Sequence, residues 1–209
     1  MIQRLVPVFI FFSGLMFAAE RPTVIVLTGA PGSEEYGRLF SKWTEQWKEA
    51  AAKGVADFHH IDKPKDGTTK KAAQKLITAQ ASEAKSPLWI VLIGHGTFDG
   101  KKAKFNLQGP DLEAVELAKW LKDSQRPTVI INCTASSAPF LPALSRKGRV
   151  VITATRSGFE QNFSHLGGYL AAAMGKLEAD FDKDGQTSLL EAWLAAARHT
   201  ADFYKNENR

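Results

Sequence analysis

Four short, unbroken apolar runs constrain this chain most: Val24–Leu27, Trp89–Ile93, Thr128–Ile131 and Val150–Thr153. A strand with one face in water alternates apolar and polar residues. A run without that alternation is buried on both faces, as in parallel sheets sheathed by helices. Between the runs lie segments with helical periodicity. Tyr36, Leu39, Phe40, Trp43 and Trp47 recur at helical spacing, and Thr68 to Ala84 reads as a polar helix. Pro110-Asp111 opens a helix carrying Leu112, Val115, Leu117, Trp120 and Leu121. Two more helices, 163–177 and 188–204, close the chain, and Val55–Ile61 suits a further strand. Strand and helix in alternation predict an α/β three-layer sandwich, a mostly parallel sheet with helices on both faces. Phe98-Asp99-Gly100-Lys101 reads as a hairpin turn. With no internal repeat and no shift in composition, residues 20–209 are expected to form one domain.

The first 19 residues read differently. Arg4 precedes a charge-free apolar run, Leu5 to Ala19, which predicts a secretory signal peptide cleaved after Ala19. The run is shorter than the roughly 20 apolar residues of a membrane span. An exported protein, periplasmic or extracellular and with no stable span after cleavage, is the expectation. An uncleaved anchor is the alternative, because Met16 and Phe17 stand where small residues favour cleavage. The formal net charge is +5, with lysines scattered and no basic stripe interleaved with aromatics, which excludes nucleic acid as the expected partner. One cysteine excludes an internal disulfide and a Cys-rich zinc site. Gly29-Ala30-Pro31-Gly32-Ser33 lacks the lysine of a phosphate-binding loop and reads as a strand-to-helix connection with Ser33 as the cap. His59 and His60 are adjacent on a strand, point to opposite faces, and cannot share a metal. Asn132-Cys133-Thr134 and Asn162-Phe163-Ser164 match the glycosylation acceptor pattern. Nothing in the residues specifies an oligomer.

Sites in parallel sheets form at the carboxyl ends of strands. His95 follows the Trp89–Ile93 run and Cys133 follows the Thr128–Ile131 run. If these two strands are neighbours, about 4.8 Å apart, the two side chains share one crevice. An imidazole beside a thiol lowers the thiol pKa or takes its proton, and the thiolate attacks a carbonyl. Gly96 would let its N–H approach the developing oxyanion, with the Cys133 N–H as its partner. The bland alternative is a small buried cysteine beside a turn histidine.

A hydrophobic strand ending in His-Gly, followed by one ending in Cys, resembles the caspase–legumain clan of cysteine peptidases. Thr153-Ala154-Thr155-Arg156-Ser157-Gly158 lies where such peptidases place a substrate-pocket loop. The resemblance implies a caspase-like fold, Cys133 as nucleophile, His95 as general acid/base, and no metal in the chemistry. It implies an endopeptidase that cleaves a peptide or protein substrate after one preferred side chain. In the pocket, Arg156 would favour an acidic or amide side chain, and Glu160 a basic one. The chain departs from the family where Asn132 precedes the cysteine and glycine-free Thr134-Ala135-Ser136-Ser137 follows it. That departure favours the alternative function, a catalytically inactive caspase-like fold serving as a calcium-stabilised binding or interaction domain.

The calcium in that alternative comes from a second motif. Asp180, Asp182 and Asp184 occupy positions 1, 3 and 5 of an EF-hand-like template, Gly185 position 6 and Glu191 position 12. Hard oxygen ligands at this spacing wrap one Ca²⁺, with Gln186 supplying its backbone carbonyl and Ser188 reaching through water. Its role would be structural. The competing reading is local: Ser188-Leu189-Leu190-Glu191 is a capping box, and Asp-Lys-Asp-Gly makes a turn without any ion.

Overall fold

A computed structural model describes residues 20–63, 68–83 and 85–207; the apolar run at 5–19, and with it the expected signal peptide, lies outside them. The strands are β1 (Thr23–Thr28), β2 (Asp57–Ile61), β3 (Leu88–Ile93), β4 (Gly96–Phe98), β5 (Ala103–Phe105), β6 (Leu112–Glu113), β7 (Thr128–Asn132) and β8 (Arg149–Thr153). Five of them form one sheet in the order β2-β1-β3-β7-β8, every pair parallel. The short β4, β5 and β6 form a separate antiparallel sheet.

The runs on β1, β3 and β7 are buried on both faces, as parallel central strands require. Val150–Thr153, expected to be buried in the same way, lies on the edge strand β8 and stays partly exposed because no strand covers its outer side among the described residues. Because side chains alternate across a strand, each run feeds two cores. Ile25, Leu27, Ile90, Leu92 and Ile130 face one way, onto α2 (Thr69–Glu83), α3 (Ala114–Trp120) and α4 (Phe140–Leu144). Val24, Val26, Val91, Ile93, Ile131 and Cys133 face the other, onto α1 (Glu34–Lys53), α5 (Leu166–Met174) and α6 (Leu189–Asn206). This is the three-layer α/β sandwich that the alternation of runs and helices predicts.

Helix α1 begins where Ser33 accepts the Tyr36 N–H at 3.3 Å, with Glu34 and Glu35 in the first turn opposing the positive end of the helix. It buries Phe40, Trp43 and Trp47 on one stripe. Each such side chain is worth about 2 kcal/mol of transfer free energy. Two expected elements differ in detail. Leu112 and Glu113 pair as β6 instead of opening a helix, and α3 starts at Ala114, where Glu113 and Glu116 form a reciprocal capping box. The helix expected at 163–177 is shorter: α5 covers Leu166–Met174, with a 3₁₀ turn at Leu177–Ala179. The 98–101 turn does join β4 to β5, with Asp99 accepting the Lys101 and Lys102 N–H groups. No helix among the described residues is long and apolar enough to cross a membrane.

Candidate functional site

The carboxyl ends of the strands carry two contrasting environments. At the end of β7, Cys133 is 1% exposed. Its N–H continues the sheet ladder, donating to Leu92 O at 3.0 Å. Above it runs α5 at very close range: a Cβ placed on Gly167 would lie 2.6 Å from Cys133 Cβ and 2.9 Å from Sγ. Glycine is required there because any side chain would collide with Cys133 and Trp43. Burial alone pushes the Cys133 thiol up to about 12.

His95 stands two residues beyond β3, partly buried in an aromatic nest. Tyr36, Phe40 and Phe163 surround its ring, with centroid distances of 4.6, 5.4 and 5.9 Å. Its Nε2 lies 3.1 Å from Pro31 O, an acceptor, so the bond assigns the proton to Nε2. Among the described residues no hydrogen bond joins His95 to the Cys133 sulfur. Gly96 packs its Cα against Ala135 O and the Thr134 side chain, where a Cβ would not fit. The structure therefore brings His95, Gly96 and Cys133 to neighbouring strand ends without joining them as a reacting group. With the Cys133 N–H already committed to Leu92 O, the paired oxyanion donors expected from the sequence are not assembled.

The loop after Cys133 is polar and buried. Asn132 Oδ1 accepts from the Thr134 N–H and hydroxyl, at 3.1 and 2.8 Å. Ser137 Oγ accepts the Ala154 and Thr155 N–H groups, at 3.0 and 3.2 Å, and so staples the loop to the end of β8. Ser136 holds a left-handed backbone, φ 53°, and its N–H donates to Glu160 O at 2.8 Å. Asn132 is fully buried, so its acceptor pattern offers no surface for a glycan; Asn162 is exposed.

At the end of β8 the molecule is open. A groove of about 1370 Å³ lies between the N-terminal turn of α1, the 153–166 segment and α6. Arg156 and Glu160 both line it, paired with each other at 3.7 Å. Tyr36, Phe159, Phe163, Trp193 and Tyr204 supply aromatic walls. The groove opens at the carboxyl end of β8, one strand beyond Cys133, and shares Tyr36 and Phe163 with the nest around His95. Its α6 wall was visible in the sequence only as the spacing of Trp193, Ala197, Ala201 and Tyr204 along the last helix.

The acidic loop lies elsewhere, between the 3₁₀ turn and α6. Oxygens of Asp180, Asp182 and Asp184 all come within 4.8 Å of one another. Lys183 and Gly185 take left-handed backbones, φ 61° and 87°, which curl the loop. Asp180 accepts the Asp184 and Gly185 N–H groups, and Asp184 accepts that of Gln186. Asp182 accepts the Asp184 N–H, which lowers its pKa, but some loss of hydration and the charges of Asp184, Glu191 and Asp180 outweigh this and raise it. Glu191 is not gathered with the three aspartates. It caps α6 through Ser188 and accepts the Phe181 and Asp182 N–H groups. The Ser188 hydroxyl and N–H, followed by those two loop N–H groups, hold its carboxyl at about 2.

No protein-family model matches the chain, and no curated protein matches it. Among solved structures it is similar to the Drosophila initiator caspase Dronc, at 12% identity and a TM-score of 0.45. That similarity covers 74% of this chain and 65% of Dronc. It is also similar to Chaetomium thermophilum Raptor, at 9% identity and a TM-score of 0.47, over 83% of this chain and 20% of Raptor.

Proposed function

We propose that this chain is an exported, catalytically inactive interaction domain on a caspase-like α/β sandwich, with the groove beside β8 as its binding surface. The observation that carries this reading is the burial of Cys133. A cysteine peptidase needs a thiolate that substrate can reach, and a sulfur sealed under Gly167 with its pKa near 12 is neither ionised nor accessible at neutral pH. Arg156 and Glu160, expected as specificity residues, then serve partner recognition at the groove. The alkylation rate of Cys133 across pH, in the wild type and in His95→Ala, tests the reading. Slow alkylation at neutral pH that ignores His95 is expected. Rapid alkylation that slows without His95, together with peptide cleavage lost in Cys133→Ala, would restore the peptidase.

The acidic loop complements this domain as a structural Ca²⁺ site. Asp180, Asp182 and Asp184 crowd three carboxylates whose repulsion a divalent cation relieves, and the set is all hard oxygen. Gln186 would add its carbonyl. Glu191 would join by exchanging the loop N–H groups it now accepts for the ion. Bound Ca²⁺ would tie the start of α6, the groove's outer wall, to the 3₁₀ turn. Calcium should raise the melting temperature, and Asp182→Ala should abolish the rise.

A further inference from the structure

We propose that the free edge of β8 and the groove at its end form one continuous docking surface for an extended peptide segment of a partner protein. The segment pairs antiparallel to β8, with a basic residue at its N-terminal end. This inference rests on the interaction-domain reading and specifies how the partner binds.

The first support is an unused sheet edge. Thr128 donates to Gly148 O and Ala154 to Asn132 O, each at 3.0 Å, so residues 148, 150, 152 and 154 serve the ladder to β7. The backbone groups of Val151 and Thr153 therefore point the other way, where no strand stands among the described residues. Unpaired edge groups of this kind are templates for an added strand. Val150, 49% exposed, leaves an apolar position in the same strip.

The second support is continuity. Thr153, Ala154 and Thr155, at the end of this edge, line the groove. A strand laid along β8 runs directly into it, and alternate side chains enter between Phe159, 69% exposed, and the α6 stripe of Trp193 and Ala197. Backbone pairing along the edge supplies affinity, while pockets for alternate side chains supply selectivity.

Charge sets the direction. At the groove end Arg156 is matched by Glu160, while Glu35 makes no ion pair among the described residues. At the other end, before β8, Arg146 and Lys147 are exposed. An antiparallel peptide places its N-terminal end at Glu35 and its C-terminal end at Lys147, which favours a basic residue first and a carboxylate last. The same charges disfavour a second copy of this chain. Antiparallel self-pairing centred on Val151 would oppose Arg146 and Arg156 at both ends.

The test uses the whole protein and a fluorescein-labelled probe, Lys-Val-Thr-Val-Thr-Val-Glu, followed by anisotropy. Two further probes carry N-methyl groups on alternate amides, one in each frame, and a fourth exchanges the terminal Lys and Glu. Saturable binding is expected, with one methylated frame at least about tenfold weaker and the other unchanged, because only one set of amides faces β8. The charge-exchanged probe should bind about fivefold more weakly, as two exposed pairs allow. Val151→Pro removes an outward N–H without touching the β7 ladder and should abolish binding. The methylation frames give the same answer with no change to the protein. Equal affinity in both frames, or no saturation up to about 1 mM, overturns the edge pairing. So does a concentration-dependent dimer lost in Val151→Pro, which would make the occupant a second copy. Binding that ignores methylation but is lost in Trp193→Ala also overturns it, yet leaves an interaction groove intact. A fast-alkylating, His95-dependent Cys133 would instead remove the underlying reading.

Discussion

The ends of β7 and β8 lie side by side in the same sheet and face opposite fates. The β7 end carries the reactive residue types, and the fold closes over them: Gly167 permits α5 to press on Cys133, and Gly96 lies flat against the following loop. The β8 end carries ordinary residues, yet it faces an open groove and an unpaired edge. Chemical potential and physical access are thus separated by one strand spacing. Reactivity belongs to an environment, since a thiol in an apolar, water-free site keeps its proton and behaves as a small hydrophobe.

The sharpest way to break this contrast is to disturb the closed end. Gly167→Ala inserts a methyl group where Cys133 and Trp43 already fill the space. It should destabilise the protein by about 2 kcal/mol in denaturant titration, as overpacked cores do. A neutral effect would mean that α5 rides higher above the sheet and that Cys133 is accessible.

A smaller effect reads the thiol directly. The folded state holds Cys133 protonated up to about 12, against a reference value of 9.0. Below pH 9 the thiol is neutral in both states and adds no pH dependence. Above it the unfolded chain loses the proton first, so stability falls with rising pH. The stability difference between wild type and Cys133→Ala should therefore shift by about 1.4 kcal/mol per pH unit between pH 9 and 12, to the disadvantage of the wild type. A constant difference across that range would show that the sulfur ionises within the fold.

The open end should respond least in stability. Arg156 is 96% exposed, and its pairing with Glu160 spans 3.7 Å. Arg156→Ala should change unfolding free energy by less than about 0.5 kcal/mol, while altering the affinity of the groove for charged probes. A large loss of stability would mean that the 153–166 segment belongs to the closed core.

Much of the architecture was legible because it rests on local rules. Unbroken apolar runs declare strands of a parallel sheet, three of the four buried on both faces, and the spacing of Phe40, Trp43 and Trp47 declares one buried helix face. Ser33 and Ser188 announce their helices by side-chain capping. Where local signals compete, tertiary pairing decides. Leu112 carries a helical spacing but completes the small sheet, because pairing with Phe105 buries it fully. The five-residue α4 has too few turns for periodicity to reveal it.

The candidate site divides along the same line. The strand ends that carry His95 and Cys133, the three clustered aspartates and the cap on α6 all follow from residue type and spacing, while the pairing of β3 with β7 that makes those strand ends neighbours is decided by the sheet. Whether the thiol meets the imidazole does not follow from residue type and spacing either. That depends on the height of α5 above β7, set by contacts between residues far apart in the chain, such as Gly167 with Cys133 and Trp43. The groove arises in the same way, from the packing of α1, α6 and the 153–166 segment around a strand that no neighbour covers. Periodicity and capping act within a few residues, so they can be read along the chain. Access to a side chain is a property of the space between elements, and it exists only once they are assembled.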